Sequence, residues 1–132
     1  MLTKSTLNDI YSNVSKFMLE NFNFNFDIPF NINYHLPTVV AQVVFPNPRI
    51  EISGIIVNSS YVNIEAFTEV LEHEAIHYYL WSLKQPFQDG TVAFESLLKQ
   101  KKLPSTHFKD SPVTNTLLFI NNNKNVYINR YI

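Results

Sequence analysis

The stretch Asn63–Leu83, NIEAFTEVLEHEAIHYYLWSL, decides how the rest of the chain is read. Ile64, Phe67, Leu71 and Tyr78 fall close to one face of a 3.6-residue repeat, and neither glycine nor proline interrupts the run. Asn63 is placed to cap its start, with Glu65 in the first turn. The spacing predicts a long central helix, with Pro86 at or just beyond its end. Residues 73–77 within it read His-Glu-Ala-Ile-His. Histidines at i and i+4 stand one turn apart on one helical face, so both imidazoles can meet a single Zn2+ ion. Glu74 between them is placed to take a proton from a water on that ion, whose pKa zinc lowers to about 7. The pattern predicts metal-assisted hydrolysis, with His73 and His77 as ligands and Glu74 as general base.

A catalytic zinc needs a third protein ligand and one open position. The chain has no cysteine, which leaves Asp89, Glu95, His107, His35 and Asp110. Asp89 follows His77 by twelve residues, beyond Pro86, where the chain can fold back over the helix. An aspartate there can equally cap the next helix. Glu95, inside that next helix, is the second choice. Tyr78, Tyr79, His107 and His35 are candidates to stabilise an oxyanion.

Outward from the central helix, the N-terminal side combines one more helix with strands. Leu7, Ile10, Tyr11, Val14, Phe17 and Met18 recur at helical spacing over residues 5–20, with Ser5 or Thr6 as cap. Phe22–Phe26 and Phe30–Tyr34 alternate apolar residues with asparagine or other polar groups, as half-buried strands do. Val39–Phe45 and Arg49–Ser53 (RIEIS) read as two further strands around the Pro46-Asn47-Pro48 turn, in hairpin or meander order. Asn58-Ser59-Ser60 supplies turn residues. On the C-terminal side, Val92, Phe94, Leu97 and Leu98 carry a helix over residues 91–102, and Lys99, Lys101 and Lys102 suit its negative end. Two β-rich runs, 116–120 and 126–132, flank an asparagine-rich turn and predict a hairpin. The expectation is one α+β domain over residues 1–132: an N-terminal helix, a small, mostly antiparallel sheet, the long helix, a further helix and the tail hairpin.

Composition narrows the class. Zero cysteines among 132 residues exclude a disulfide scaffold, an iron–sulfur centre, a cysteine nucleophile and a cysteine-ligated ribbon. A net charge of −1 gives no electrostatic footprint for nucleic acid. The lysines near residue 100 read as a solvated helix end rather than a nucleic-acid site. No signal-like or membrane-spanning apolar run occurs, so the expectation is a cytoplasmic protein, bacterial or phage-encoded.

These residues together resemble the SprT-like family of zinc metallopeptidases. The likeness runs from Phe30 to Thr106 and rests on Phe30-Asn31, Ile50–Ser53, Glu69–Leu80 (EVLEHEAIHYYL) and Pro86–Gln100 (PFQDGTVAFESLLKQ). It implies a zincin-like fold in which a turn after the metal-binding helix delivers a third ligand, usually histidine, followed by a phenylalanine and a helix. Counting back from Phe94 puts Asp89 at that ligand position. Family members often end in a cysteine-ligated zinc ribbon, which this chain lacks, so one zinc ion is expected. The DNA-linked role of some relatives is not implied, because the charge gives it no support. The expected activity is hydrolysis of peptide bonds in a protein substrate. The alternative is a weakly active or inactive zincin scaffold that binds a partner protein, as an effector of a phage or mobile element would. An edge strand over 39–45 is the expected aligner of an extended substrate.

Overall fold

The computed structural model describes residues 2–36, 40–58, 62–103, 105, 119–121 and 124–126. Helix α1 (Lys4–Phe22) starts at Thr3, whose hydroxyl accepts the Thr6 N–H, so the cap lies two or three residues earlier than expected. Ile10, Val14 and Met18, one turn apart, form its buried stripe. The helix ends on Asn23 in the left-handed region, φ 49°. That ending removes the expected strand over Phe22–Phe26, because Phe22 is the last helical residue. Phe24 and Phe26 still bury their rings, but through aromatic packing: Phe24 against Tyr78 and Tyr79, and Phe26 against Tyr11 and Phe30. The alternation reported side-chain burial and not strand pairing.

Three strands follow: β1 (Phe30–Asn33), β2 (Ala41–Val44) and β3 (Arg49–Ser53). Their spatial order is β1-β3-β2. β3 runs antiparallel to β2, with Val43 opposite Ile50, and parallel to β1, with Ile32 opposite Ile52. The expected mostly antiparallel sheet is therefore a mixed one, with one ladder of each kind. β1 and β2 therefore lie on opposite sides of β3, and among the described residues both are edges. Residues on the central strand are the most buried, with Ile50 and Ile52 fully enclosed.

A short helix α2 (Gly54–Asn58), which periodicity does not reveal, continues directly from β3. Helix α3 (Ile64–Ser82) begins at Asn63, whose side chain accepts the Ala66 N–H as predicted. It is the hub of the fold, touching α1, β2, β3 and α4 (Val92–Lys101). Phe67, Val70, Leu71, Ala75 and Ile76 are fully buried between these neighbours. Burial of such side chains contributes about 1.5–3 kcal/mol each for the larger ones, so α3 is held by packing more than by helix propensity. A short antiparallel ladder joins β4 (Phe119–Asn121) to β5 (Lys124–Val126). The expected hairpin of runs 116–120 and 126–132 lies mostly outside the described residues. No described helix is long and apolar enough to cross a membrane.

Candidate metal centre

Because α3 is packed on several sides, its middle turn is dry. His73 is 0% exposed, Glu74 1% and His77 4%. Three ionisable side chains in such a place need compensation, since isolated buried charge is costly. The helical repeat gives the first part of it: ligating atoms of His73, Glu74 and His77 all lie within 4.8 Å of one another. The chain beyond α3 gives the second. After Leu83 it turns back, and Asp89 comes to rest with Oδ1 3.5 Å from Nε2 of His73 and 3.3 Å from Nε2 of His77. Oε2 of Glu74 stands 3.5 Å and 3.9 Å from the same two nitrogens.

These separations are long for hydrogen bonds. Glu74 Oε2, His77 Nε2 and Asp89 Oδ1 are buried, and none completes a hydrogen bond with a described residue. The two imidazole nitrogens thus each face one carboxylate oxygen of Glu74 and one of Asp89. Ligand atoms at tetrahedral corners, each about 2.0–2.1 Å from a zinc ion, are separated by about 3.3–3.4 Å. The spacing of Asp89 Oδ1 from the two imidazoles fits that edge length. Two imidazoles and one carboxylate are also a donor set that zinc accepts.

Each side chain is held from behind. Nδ1 of His77 donates to the carbonyl of Phe87, a hydrogen bond that fixes the tautomer and turns Nε2 toward Asp89. The His77 ring stacks on Phe94, with centroids 3.8 Å apart and planes 11° apart, and His73 meets the same ring edge-on at 5.0 Å. Glu74 is held by β2: its Oε1 accepts the Val43 N–H at 3.0 Å. Burial, together with the charge of Asp89, pushes the Glu74 carboxyl up to about 8, against the opposing pull of His77 and the Val43 N–H. Burial also opposes charge on Asp89, but His73 and His77 outweigh it and draw the carboxyl down to about 2. For His77, desolvation is overcome by Asp89, Glu74 and the Phe87 carbonyl, and its pKa is raised. Two carboxylates facing two imidazoles can thus hold either protons or a cation.

The other sequence candidates lie elsewhere. Asp89 does not cap α4; the cap position is Thr91, which makes no side-chain capping bond. Glu95 turns its carboxylate away from the histidines. Its Oε2 accepts the Gly90 N–H at 3.0 Å, and its Oε1 accepts the Ser105 hydroxyl. Tyr78 donates to Asp27 at 3.1 Å, and Tyr79 packs on Phe22 and Phe24. His35 is exposed just after β1. His107 and Asp110 lie outside the described residues. The backbone partners, the Phe87 carbonyl and the Val43 N–H, are not legible in the sequence, because main-chain groups leave no mark in residue identity.

A cleft of about 320 Å3 opens onto this cluster, lined by Val43, Phe45, Phe87 and Gln88 together with Glu74, His77 and Asp89. No family model matches the chain, and neither a curated protein nor a solved structure matches it.

Proposed function

We propose that this chain is a zinc-dependent peptidase of the SprT-like, zincin-type kind, with its site in the lining of the 320 Å3 cleft. The observation that carries the reading is the placement of Asp89 Oδ1 at 3.5 Å and 3.3 Å from the two histidine Nε2 atoms, with Glu74 beside them. His73, His77 and Asp89 would hold the ion. Zinc, when bound, supplies a Lewis acid that polarises the scissile carbonyl and acidifies a water. Glu74 takes a proton from the attacking water and passes it to the leaving amine as the C–N bond breaks. Its Oε1 is fixed by Val43 N–H, so Oε2 is the oxygen free to carry that proton. The Phe87 carbonyl keeps the proton of His77 on Nδ1 and Nε2 available as a ligand. β2, an edge strand among the described residues, lies beside Glu74 and offers an extended peptide its outer main-chain groups other than the Val43 N–H, which Glu74 holds.

The test is to measure zinc content and hydrolysis of an unfolded protein such as casein, for wild type and Glu74→Gln. The expected result is about one zinc per chain in both, with hydrolysis reduced by about 10²–10⁴-fold in the variant. A wild type without stoichiometric zinc would sink the proposal. Zinc without hydrolysis would favour the partner-binding alternative, in which Glu74→Gln leaves the biological effect intact.

A further inference from the structure

We propose that Phe45 and Phe87 form the wall of a side-chain pocket that selects peptides carrying a large apolar residue beside the bond presented to Glu74. The inference rests on the peptidase reading for its position relative to the scissile bond, but not for the binding itself.

Three observations carry it. The first is that one cleft holds two chemistries. Its lining joins Glu74, His77 and Asp89 to the apolar side chains of Val43, Phe45 and Phe87, with Gln88 the one further polar residue. Anything that reaches Glu74 through this cleft meets those apolar side chains. The second is that the wall is built and braced. Phe45 stacks on Trp81, with centroids 4.7 Å apart and planes 27° apart, and meets Phe87 edge-on at 5.2 Å. Trp81 in turn stacks against Tyr78 at 6.1 Å. Three segments contribute: the end of β2, the last turn of α3, and the connection to α4. Such a braced aromatic face offers apolar contact without the entropy cost of ordering it on binding.

The third is register. Val43 belongs to β2, and Phe45 is the first residue after the strand's last, Val44. Val43 and Phe45 both line the cleft, and the Val43 N–H is already bonded to Glu74. A peptide that passes Glu74 along this edge meets Val43 and Phe45 with a side chain, while the Val43 N–H stays with Glu74 and is not open to it. Phe87 extends the same apolar surface, packed edge-on against Phe45. Its carbonyl is the acceptor for His77 Nδ1, so the pocket wall and one proposed ligand are anchored to the same residue. Asp89 and Glu74 in the same lining make a cationic side chain the main competitor for an apolar one.

Trp81 is the chain's only tryptophan, so its emission reports directly on the pocket. The experiment titrates the intact Glu74→Gln protein with blocked tetrapeptides, Ac-Ala-Ala-Xaa-Ala-amide, where Xaa is Phe, Leu, Lys or Ala, in Zn2+ and again in EDTA. Phe and Leu peptides are expected to bind at least about tenfold more tightly than the Ala peptide and to change Trp81 emission. The Lys peptide is expected to bind more weakly than the Phe and Leu peptides. Phe87→Ala should remove most of that preference. Phe45→Leu keeps an apolar partner for Trp81, which guards against a folding defect, and should shift preference from Phe toward Leu. Equal affinities, a preference for Lys, or no binding by any peptide would overturn the proposal. Wild-type turnover separates the two readings: selective binding without hydrolysis counts against the peptidase alone, and unselective hydrolysis counts against the pocket alone.

Discussion

Oδ1 of Asp89 lies 3.3 Å from Nε2 of His77, although twelve residues and a change of direction separate them. The contact depends on the segment between. α3 stops at Ser82, Lys84 adopts the left-handed region with φ 58°, and the chain doubles back so that the Phe87 carbonyl reaches Nδ1 of the same histidine. Both nitrogens of His77 are thus addressed from one six-residue return. A proposed ligand and the group that orients its partner arrive together.

Removing Asp89 should therefore weaken metal binding without unfolding the protein. Asp89→Asn keeps the shape but gives up the charge. Zinc affinity, measured by competition with a chromophoric chelator, is expected to fall by more than the ten- to hundredfold that loss of an outer partner causes. His77→Ala should lose at least as much. Unchanged affinity in Asp89→Asn would remove Asp89 from the ligand set.

Glu95 gives the converse case. It bridges the Gly90 N–H and the Ser105 hydroxyl, and Gly90 sits at φ 85°, a conformation that favours glycine. The carboxylate thereby pins the residue next to Asp89. Glu95→Ala should lower zinc affinity by about ten- to hundredfold, and Glu95→Gln by less, because the amide oxygen still accepts one of the two bonds. A loss in Glu95→Ala as large as that in Asp89→Asn would instead make Glu95 a ligand.

How far these relationships could be read from sequence depends on what kind of atom makes them. The His73/His77 pair follows from helical geometry alone, since i and i+4 share a face in any α-helix. Arg49–Ser53 is legible because its β-branched alternation matches the burial of Ile50 and Ile52. Phe22–Phe26 shows the limit: the same alternation arises where rings pack into an aromatic cluster after a helix end, and nothing in five residues separates the two. The parallel β1–β3 pairing is a matter of long-range topology, which local pattern does not encode. Glu95 and Asp89, both acidic and both after the turn, are separable only once the path of the backbone is known.

Phe94 ties the site to the core. Its ring is fully buried beneath both imidazoles. Phe94→Leu should cost about 1 kcal/mol of stability in urea unfolding of the metal-free protein, and Phe94→Ala about 3–5 kcal/mol. Because His77 loses its stacking partner, Phe94→Leu should also reduce zinc affinity, where a leucine substituted in a remote part of the core would not.

The sheet carries a pH signature of its own, away from the metal centre. Oε1 of Glu51 on the central strand accepts from Gln42 of β2 at 2.8 Å and from Asn33 of β1 at 3.1 Å, while Oε2 accepts from Arg49 at 3.3 Å. One carboxylate thus joins all three strands. The Gln42 bond is the main reason its pKa lies below 4.5; Asn33 and Arg49 add to the effect, and desolvation works against it. The unfolded chain, with the ordinary value, takes up this proton first as the solution is acidified. Stability from Glu51 is therefore fully present above pH 4.5 and is lost as pH falls through the depressed folded value. Glu51→Gln should cost about 1 kcal/mol at pH 7 and flatten the dependence of unfolding free energy on pH below 4.5. Parallel acid limbs for wild type and variant would mean that this carboxylate contributes nothing to holding the strands together.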